Sequence, residues 1–228
     1  MSENATNATQ ANDCCPGNAC SKRNTRAMAL NLIVQMEWDF FQQVNNKGGR
    51  ASCQDMPETF AIMRESQFSI WTDDMLLSYY DDLRAAQDDG RNPMTEKYAY
   101  MMESTHPDEF EQIKDALPPI SQEKRDIIEQ IVAIQISWAE EVAATYPHFA
   151  GRGRPIRSAQ DSQYATSIET YSRGELATYS LGTLQLMLER FQQARDDNAN
   201  LQMEVDTRTA RSYGYASLAK AEEALSQA

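Results

Sequence analysis

The sequence predicts an all-α fold, a compact helical domain made of two tandem-duplicated units related by an approximate two-fold axis. Three observations predict it. Apolar residues recur at steps of three and four along most of the chain, capping and turn residues interrupt them at helix-length intervals, and nothing alternates with the period of two that a half-buried strand shows. A shift of 108 residues then lays one half of the pattern on the other. Residues 1–25, rich in Asn, Ala and Thr and without apolar periodicity, read as a disordered polar tail, which leaves 26–228 as a single helical domain.

Taken in order, Leu30, Ile33, Val34, Phe41 and Val44 form the stripe of an amphipathic helix from Arg26 to Asn46, ended by Gly48 and Gly49. Asp55 and Glu58 have the spacing of a capping box, with Pro57 tolerated in the first turn, and a helix is expected from there through Trp71. Thr72 or Asp73 caps the next helix, which runs to about Asp89 and stops at Gly90. A fourth covers Thr95 to Ser104, and a fifth begins after Thr105 with Pro107 in its first turn. Pro118 and Pro119 close this half, because neither can continue a helix.

Ser121 reopens the chain as an N-cap, and Ile127, Ile128, Ile131, Val132, Trp138 and Val142 mark a long helix ending near Tyr146. After the loop HFAGRGRPIRSAQDSQYA, Thr166 and Glu169 make a second capping box. Helices are expected to about Arg173, from about Glu175 to Asp196, near Met203 to Ser212, and from Ser217 to Ala224.

The halves share their order of parts. At the 108-residue shift Leu76 meets Leu184, Ala86 meets Ala194, Asp88 and Asp89 meet Asp196 and Asp197, and Asn92 meets Asn200. With drift placed in loops, IVQMEW meets IVAIQISW and GGRASCQD meets GRGRPIRSAQD. The repeat units are therefore drawn at about 27–117 and 120–226, each a long helix, a Gly-Arg loop and a helix pair. Chance similarity between amphipathic helices is the competing explanation, since Leu and Ala matches arise easily in such sequences.

Composition restricts the function classes. A formal net charge of −13 repels phosphate backbones and anionic lipid, so neither nucleic acid nor membrane is an expected partner. No apolar run approaches the roughly 18 to 20 residues that cross a bilayer, and the N-terminus lacks the basic start and apolar stretch of a signal peptide; the expectation is a cytoplasmic protein. Cys14, Cys15, Cys20 and Cys53 match neither a disulfide framework nor paired zinc knuckles, although they could hold a soft metal together. The Asn4 and Asn7 triplets match a glycosylation sequon without a secretory context. Glu-x-x-His occurs once, at Glu103 to His106, and a ferritin-like di-metal centre needs two copies. No metal centre and no cofactor are expected.

Each Gly-Arg loop immediately precedes a capped helix, whose free N–H groups and partial positive charge favour anions. Arg50 serves the first loop, and Arg152, Arg154 and Arg157 crowd the second in an otherwise acidic chain. This points to a carboxylate or phosphate ligand, the competing reading being arginines that neutralise acidic helix faces. Arg64, Gln67 and Trp71 share a helix face, with Glu175 and Tyr179 in the equivalent places of the second unit, as if to wall a shared pocket. Glu169 and Arg173, four apart, suit an ordinary surface pair. Cys53, near Arg50 and a helix start, is a candidate nucleophile, or a small hydrophobe.

EW at Glu37, GGRASCQD, IMRESQFSIW, EKYAYMMEST, AGRGRPIRSAQD, ETYSRGELATYS and the closing YGYASL together resemble the bacterial domain of unknown function 4125 family, over roughly residues 27 to 222. The resemblance implies a compact intracellular domain and no particular activity. The residues themselves lead to an enzyme of small-molecule metabolism with its site between the units. Arg50, Arg64, Gln67, Trp71, Arg154, Arg157 and Arg173 bind a small anionic substrate in this expectation, and Cys53, Glu169 or Glu175 serves as nucleophile, acid or base. The alternatives are a non-catalytic module that binds a metabolite or regulates by meeting a protein partner through acidic helix faces, and a purely structural interaction protein.

Overall fold

Two long helices, α1 (Gly17–Gln42) and α6 (Gln122–Thr145), carry the apolar stripes around which the other elements are arranged. The computed structural model describes residues 17–46 and 48–227, and these contain eleven α-helices, short 3-10 turns and no strand. After α1 come α2 (Pro57–Phe68), α3 (Asp73–Asp88), α4 (Pro93–Thr105) and α5 (Pro107–Ile113). After α6 come α7 (Pro147–Ala150), α8 (Ile168–Leu176), α9 (Leu181–Asp196), α10 (Leu201–Ser212) and α11 (Leu218–Leu225). No described helix is long and apolar enough to cross a membrane. The readings placed on Asn4, Asn7, Cys14 and Cys15 lie outside the described residues, as does the side chain of Cys20.

Packing follows the stripes. α3 lies along α1 and α9 along α6, while α3 and α9 also meet each other. α2 packs on α1 and α10, and α8 packs on α6 and α4. One continuous core results, in which Ile33 of α1, Met75 and Leu76 of α3, Ile131 of α6, Leu184 of α9 and Leu201 of α10 are fully buried. Each such side chain contributes roughly 1.5 to 3 kcal/mol through removal from water. A small second cluster, Ala210, Leu218 and Ala221, seats α11 near the end of α10.

Several boundaries depart from the sequence reading, for local reasons. α1 begins at Gly17, nine residues before Arg26, and closes at Gln42. The Asp55 and Glu58 capping box does not form, because the Asp55 carboxylate accepts Arg50 Nε at 2.8 Å and Met56 occupies the N-cap. Nor does the Thr166 and Glu169 box: Ser167 caps α8, its Oγ accepting the Thr170 N–H at 3.1 Å. Thr72 and Ser121 do cap α3 and α6 through their hydroxyls, whereas the helix expected from about Glu175 to Asp196 breaks after Leu176 and restarts at Leu181, capped by the Ser180 hydroxyl.

Gly174 has a steric task. A Cβ at this position of α8 would lie 2.6 Å from Met101 Cγ and 2.8 Å from the Lys97 carbonyl of α4, so only glycine lets the two helices approach this closely. That approach sets Lys97 against the next residue of α8, Glu175.

Candidate functional site

Helices α2, α4, α6, α8 and α10 converge without filling the space between them, leaving a cavity of about 460 Å³. α2 supplies a wall at helical steps with Phe60, Met63, Arg64 and Gln67; α8 supplies Ile168, Tyr171 and Glu175. The half-exposed Met56 and Met63 and the exposed Cys53 stand at its rim. Apolar and aromatic walls with a few polar groups are the usual composition of a small-molecule site.

A buried network of four charges underlies one wall. The Arg64 guanidinium faces Glu37 with both Nε and Nη2, Nε at 2.6 Å from Oε2, and sends Nη1 to Gln67 Oε1 at 2.7 Å and to Glu175 Oε1 at 3.0 Å. Lys97 Nζ donates to Glu175 Oε2 at 2.7 Å and to the Tyr171 hydroxyl. Tyr79 and Tyr179 donate to Glu37 and Glu175 at 2.7 and 2.9 Å, and Gln67 Nε2 adds a fourth donor to Glu175 at 3.0 Å. Two cations thus meet two carboxylates, and their full hydrogen bonding is what makes burial of charge tolerable.

The electrostatics agree with this count. Burial alone would raise the Glu175 carboxyl, but the charges of Arg64 and Lys97 outweigh it and hold the group well below the ordinary carboxylate range. Burial likewise opposes the Lys97 and Arg64 charges, and their carboxylates keep both pKa values above normal. Burial pushes the Tyr79 and Tyr179 hydroxyls well up, so they remain donors. Glu175 is consequently a saturated acceptor and a poor proton carrier at neutral pH.

Beyond the network, Arg154 reaches the cavity from the loop after α7. Its guanidinium stacks on the Tyr171 ring, 4.7 Å from the centroid, and Nη1 donates to the Thr166 carbonyl at 3.1 Å. Lys97 Nζ lies 4.0 Å from the centroid of the same ring. Among the described residues no carboxylate pairs with Arg154. From α10, Asp206 also lines the cavity; its one described donor is Gln202 Nε2, at 2.9 Å. Burial pushes the Asp206 carboxyl up to about 6.

The residues proposed from sequence divide into two groups. Arg64, Gln67, Trp71, Arg154, Glu175 and Cys53 all line this one cavity. Arg50, Arg157, Glu169 and Arg173 do not. Arg50 ties the end of α1 to its loop, donating to Gln42 Oε1 at 2.5 Å, the Gln54 carbonyl at 2.7 Å and Asp55. Arg157 pairs with Glu140 on the surface. Glu169 accepts the Ser158 N–H at 2.7 Å and Arg173 Nη2 at 2.8 Å, and Arg173 also holds Glu129, beside a second, more open hollow. No three His, Cys, Asp or Glu side chains among the described residues gather as a metal site.

Sequence reasoning left out Lys97, Tyr171 and Asp206 and gave Glu37 no place in the pocket. The available signal was an ionisable residue inside an apolar stripe: Glu37 between Ile33 and Phe40, Lys97 among Met94, Tyr98 and Met101. Such a residue must be paired or functional, because an isolated buried charge is too costly. Gln54 was also missed. It is buried, and its amide donates to the Phe41 and Val44 carbonyls at 2.9 and 3.1 Å, closing the end of α1.

No curated protein and no solved structure matches the chain. The family described as "Protein of unknown function (DUF4125)" matches residues 28–223, which is most of the sequence. The chain belongs to the DUF4125 family.

Proposed function

We propose that the protein is a cytoplasmic enzyme of small-molecule metabolism that takes a small anionic ligand, a carboxylate or phosphate, into the cavity between two duplicated helical units. The observation that carries this reading is Arg154. Arg64 and Lys97 are neutralised by Glu37 and Glu175, whereas Arg154 lines the same cavity with only a carbonyl and an aromatic face as partners. Arg154 is exposed, and an anion entering beside Tyr171 offers it a counter-charge and a bidentate acceptor.

The duplication is supported by paired geometry. α3 and α9 span ranges 108 residues apart, and Asn92 and Asn200 both cap the following helix while their amides reach carbonyls of α1 and α6. Gly90 and Asn198, at equivalent positions, adopt φ of 67° and 56°. α4 packs on α8 as α10 packs on α2. Eight pairs of cavity residues are 108 apart, among them Gln67 with Glu175, Trp71 with Tyr179 and Tyr98 with Asp206. A cavity on such an axis has two related walls that have diverged in chemistry.

Within this reading, Cys53 is the candidate nucleophile, since Glu175 is saturated with donors and Glu169 is spent on the loop before α8. The same commitment of both carboxylates favours the second reading, a metabolite-binding module without chemistry. Thermal denaturation with inorganic phosphate and short carboxylates tests the shared claim. A ligand at about 100 times its Kd stabilises by about 2.7 kcal/mol and raises Tm by roughly 5 to 10 °C in a chain of this size. Arg154→Met is expected to abolish that shift, and its persistence overturns the assignment. Alkylation of Cys53 slowed by the same ligand supports a thiol at the mouth, and turnover of a stabilising compound separates enzyme from binding module.

A further inference from the structure

We infer that the α10 and α6 wall of the cavity is an amine subsite, built by Asp206 and Gln135, so that the ligand carries an ammonium group at one end and its anionic group at the other. This rests on the anion reading above for one end only.

Both acceptors are short of donors. Asp206 Oδ1 takes the Gln202 amide at 2.9 Å, and among the described residues no donor reaches its Oδ2 and no cation pairs with it. Gln135 Oε1 is buried with no hydrogen-bond partner. A buried acceptor without a donor loses its water without replacement, and native interiors avoid this unless a ligand completes it. Gln135 and the half-buried Asp206, from separate helices, line one cavity. The group that satisfies both a carboxylate and an amide oxygen is a cationic donor, and a primary ammonium carries three N–H bonds for the purpose.

The surroundings fit. Trp71 and Trp138 also line the cavity, and aromatic faces attract ammonium groups. The opposite chemistry belongs to the other wall: α4 and α8 bring Lys97 and Tyr171, with Arg154 stacked on the latter. At equivalent places in the two units stand Lys97 and Val205, and Tyr98 and Asp206. The anionic and ammonium groups of the ligand therefore face different helices across an apolar middle, which describes an ω-amino carboxylate or an aminoalkyl phosphate better than a compact α-amino acid. The Asp206 carboxyl, with its pKa near 6, is ionised at mildly alkaline pH and presents its charge to such a group.

Calorimetry on the full chain at about pH 8 with 6-aminohexanoate, hexanoate and hexylammonium tests this directly. The expected result is that 6-aminohexanoate binds about tenfold or more tighter than hexanoate, that Asp206→Asn erases the difference by weakening 6-aminohexanoate, and that Arg154→Met weakens both carboxylates. Equal binding of the two carboxylates by the unaltered protein overturns the amine subsite whatever the variant does, and leaves the anion reading standing. Hexylammonium binding that depends on Asp206, with carboxylate binding indifferent to Arg154, upholds the subsite and removes the anion reading. Failure of all three probes to bind at about 10 mM removes both.

Discussion

Replacing Arg64 with methionine removes the cation that two buried carboxylates share. Glu37 is 0% exposed and Glu175 5% exposed. After the change Glu37 keeps only the Tyr79 hydroxyl, while Glu175 still has Lys97, Tyr179 and Gln67. The loss is therefore concentrated on Glu37, as an uncompensated buried charge, and breaking a buried pair in this way costs about 3 to 5 kcal/mol. For a chain of this length that corresponds to a fall in Tm of roughly 10 °C, measurable by circular dichroism at neutral pH together with urea denaturation. Adding Glu37→Gln to Arg64→Met removes the stranded charge and is expected to recover about half of the loss. Destabilisation by Arg64→Met of less than about 1 kcal/mol, or a double variant worse than the sum of its parts, refutes the claim that the network is a closed and mutually satisfied set.

Gly174→Ala places a methyl inside van der Waals contact of Met101 and the Lys97 carbonyl, and since a backbone atom cannot yield as a side chain does, a loss of about 2 to 3 kcal/mol is expected in the same denaturation assay. Retention of full stability shows that α4 and α8 are not held at this distance by the glycine. Asp206→Asn has a pH signature: the folded pKa of about 6 lies above the unfolded value of 3.8, so the carboxyl destabilises the fold as pH rises through that window and is neutral below it. The variant is expected to gain up to about 3 kcal/mol over the unaltered protein near pH 8 and almost nothing near pH 3, and equal differences at both pH values contradict the argument. Arg50→Ala removes an exposed pair and the ties to Gln42 and Gln54, so stability falls by about 1 kcal/mol while ligand-induced shifts in Tm stay unchanged. Loss of those shifts returns Arg50 to the binding machinery.

The helices were legible because each signal is local. Thr72 and Ser121 precede their helices in sequence as in space, and the stripe through Ile127, Ile131 and Val142 lies on one face whatever it packs against. The two capping boxes failed because their carboxylates had better partners brought by the loops: Arg50 for Asp55, and the Ser158 N–H with Arg173 for Glu169. The cavity wall of Arg64, Gln67, Trp71 and Glu175 could be read from a shared helix face and a match of sequence pattern at a 108-residue shift. What joins Glu37, Arg64, Lys97 and Glu175 is contact between residues up to 111 positions apart, from Arg64 to Glu175, and no periodicity reports such contacts. Arg154 differs from Arg157 only in where its loop turns, which spacing does not encode.

Methionine methyl resonances offer the most direct test of a ligand site in the cavity, because Met56, Met63, Met94 and Met187 line it whereas Met28 and Met203 do not. Titration with hexanoate is expected to move the four cavity methyls saturably and leave Met28 and Met203 in place, with the response lost in Arg154→Met. Movement confined to Met28 or Met203, or none at about 10 mM hexanoate and phosphate, contradicts an anion site in this cavity.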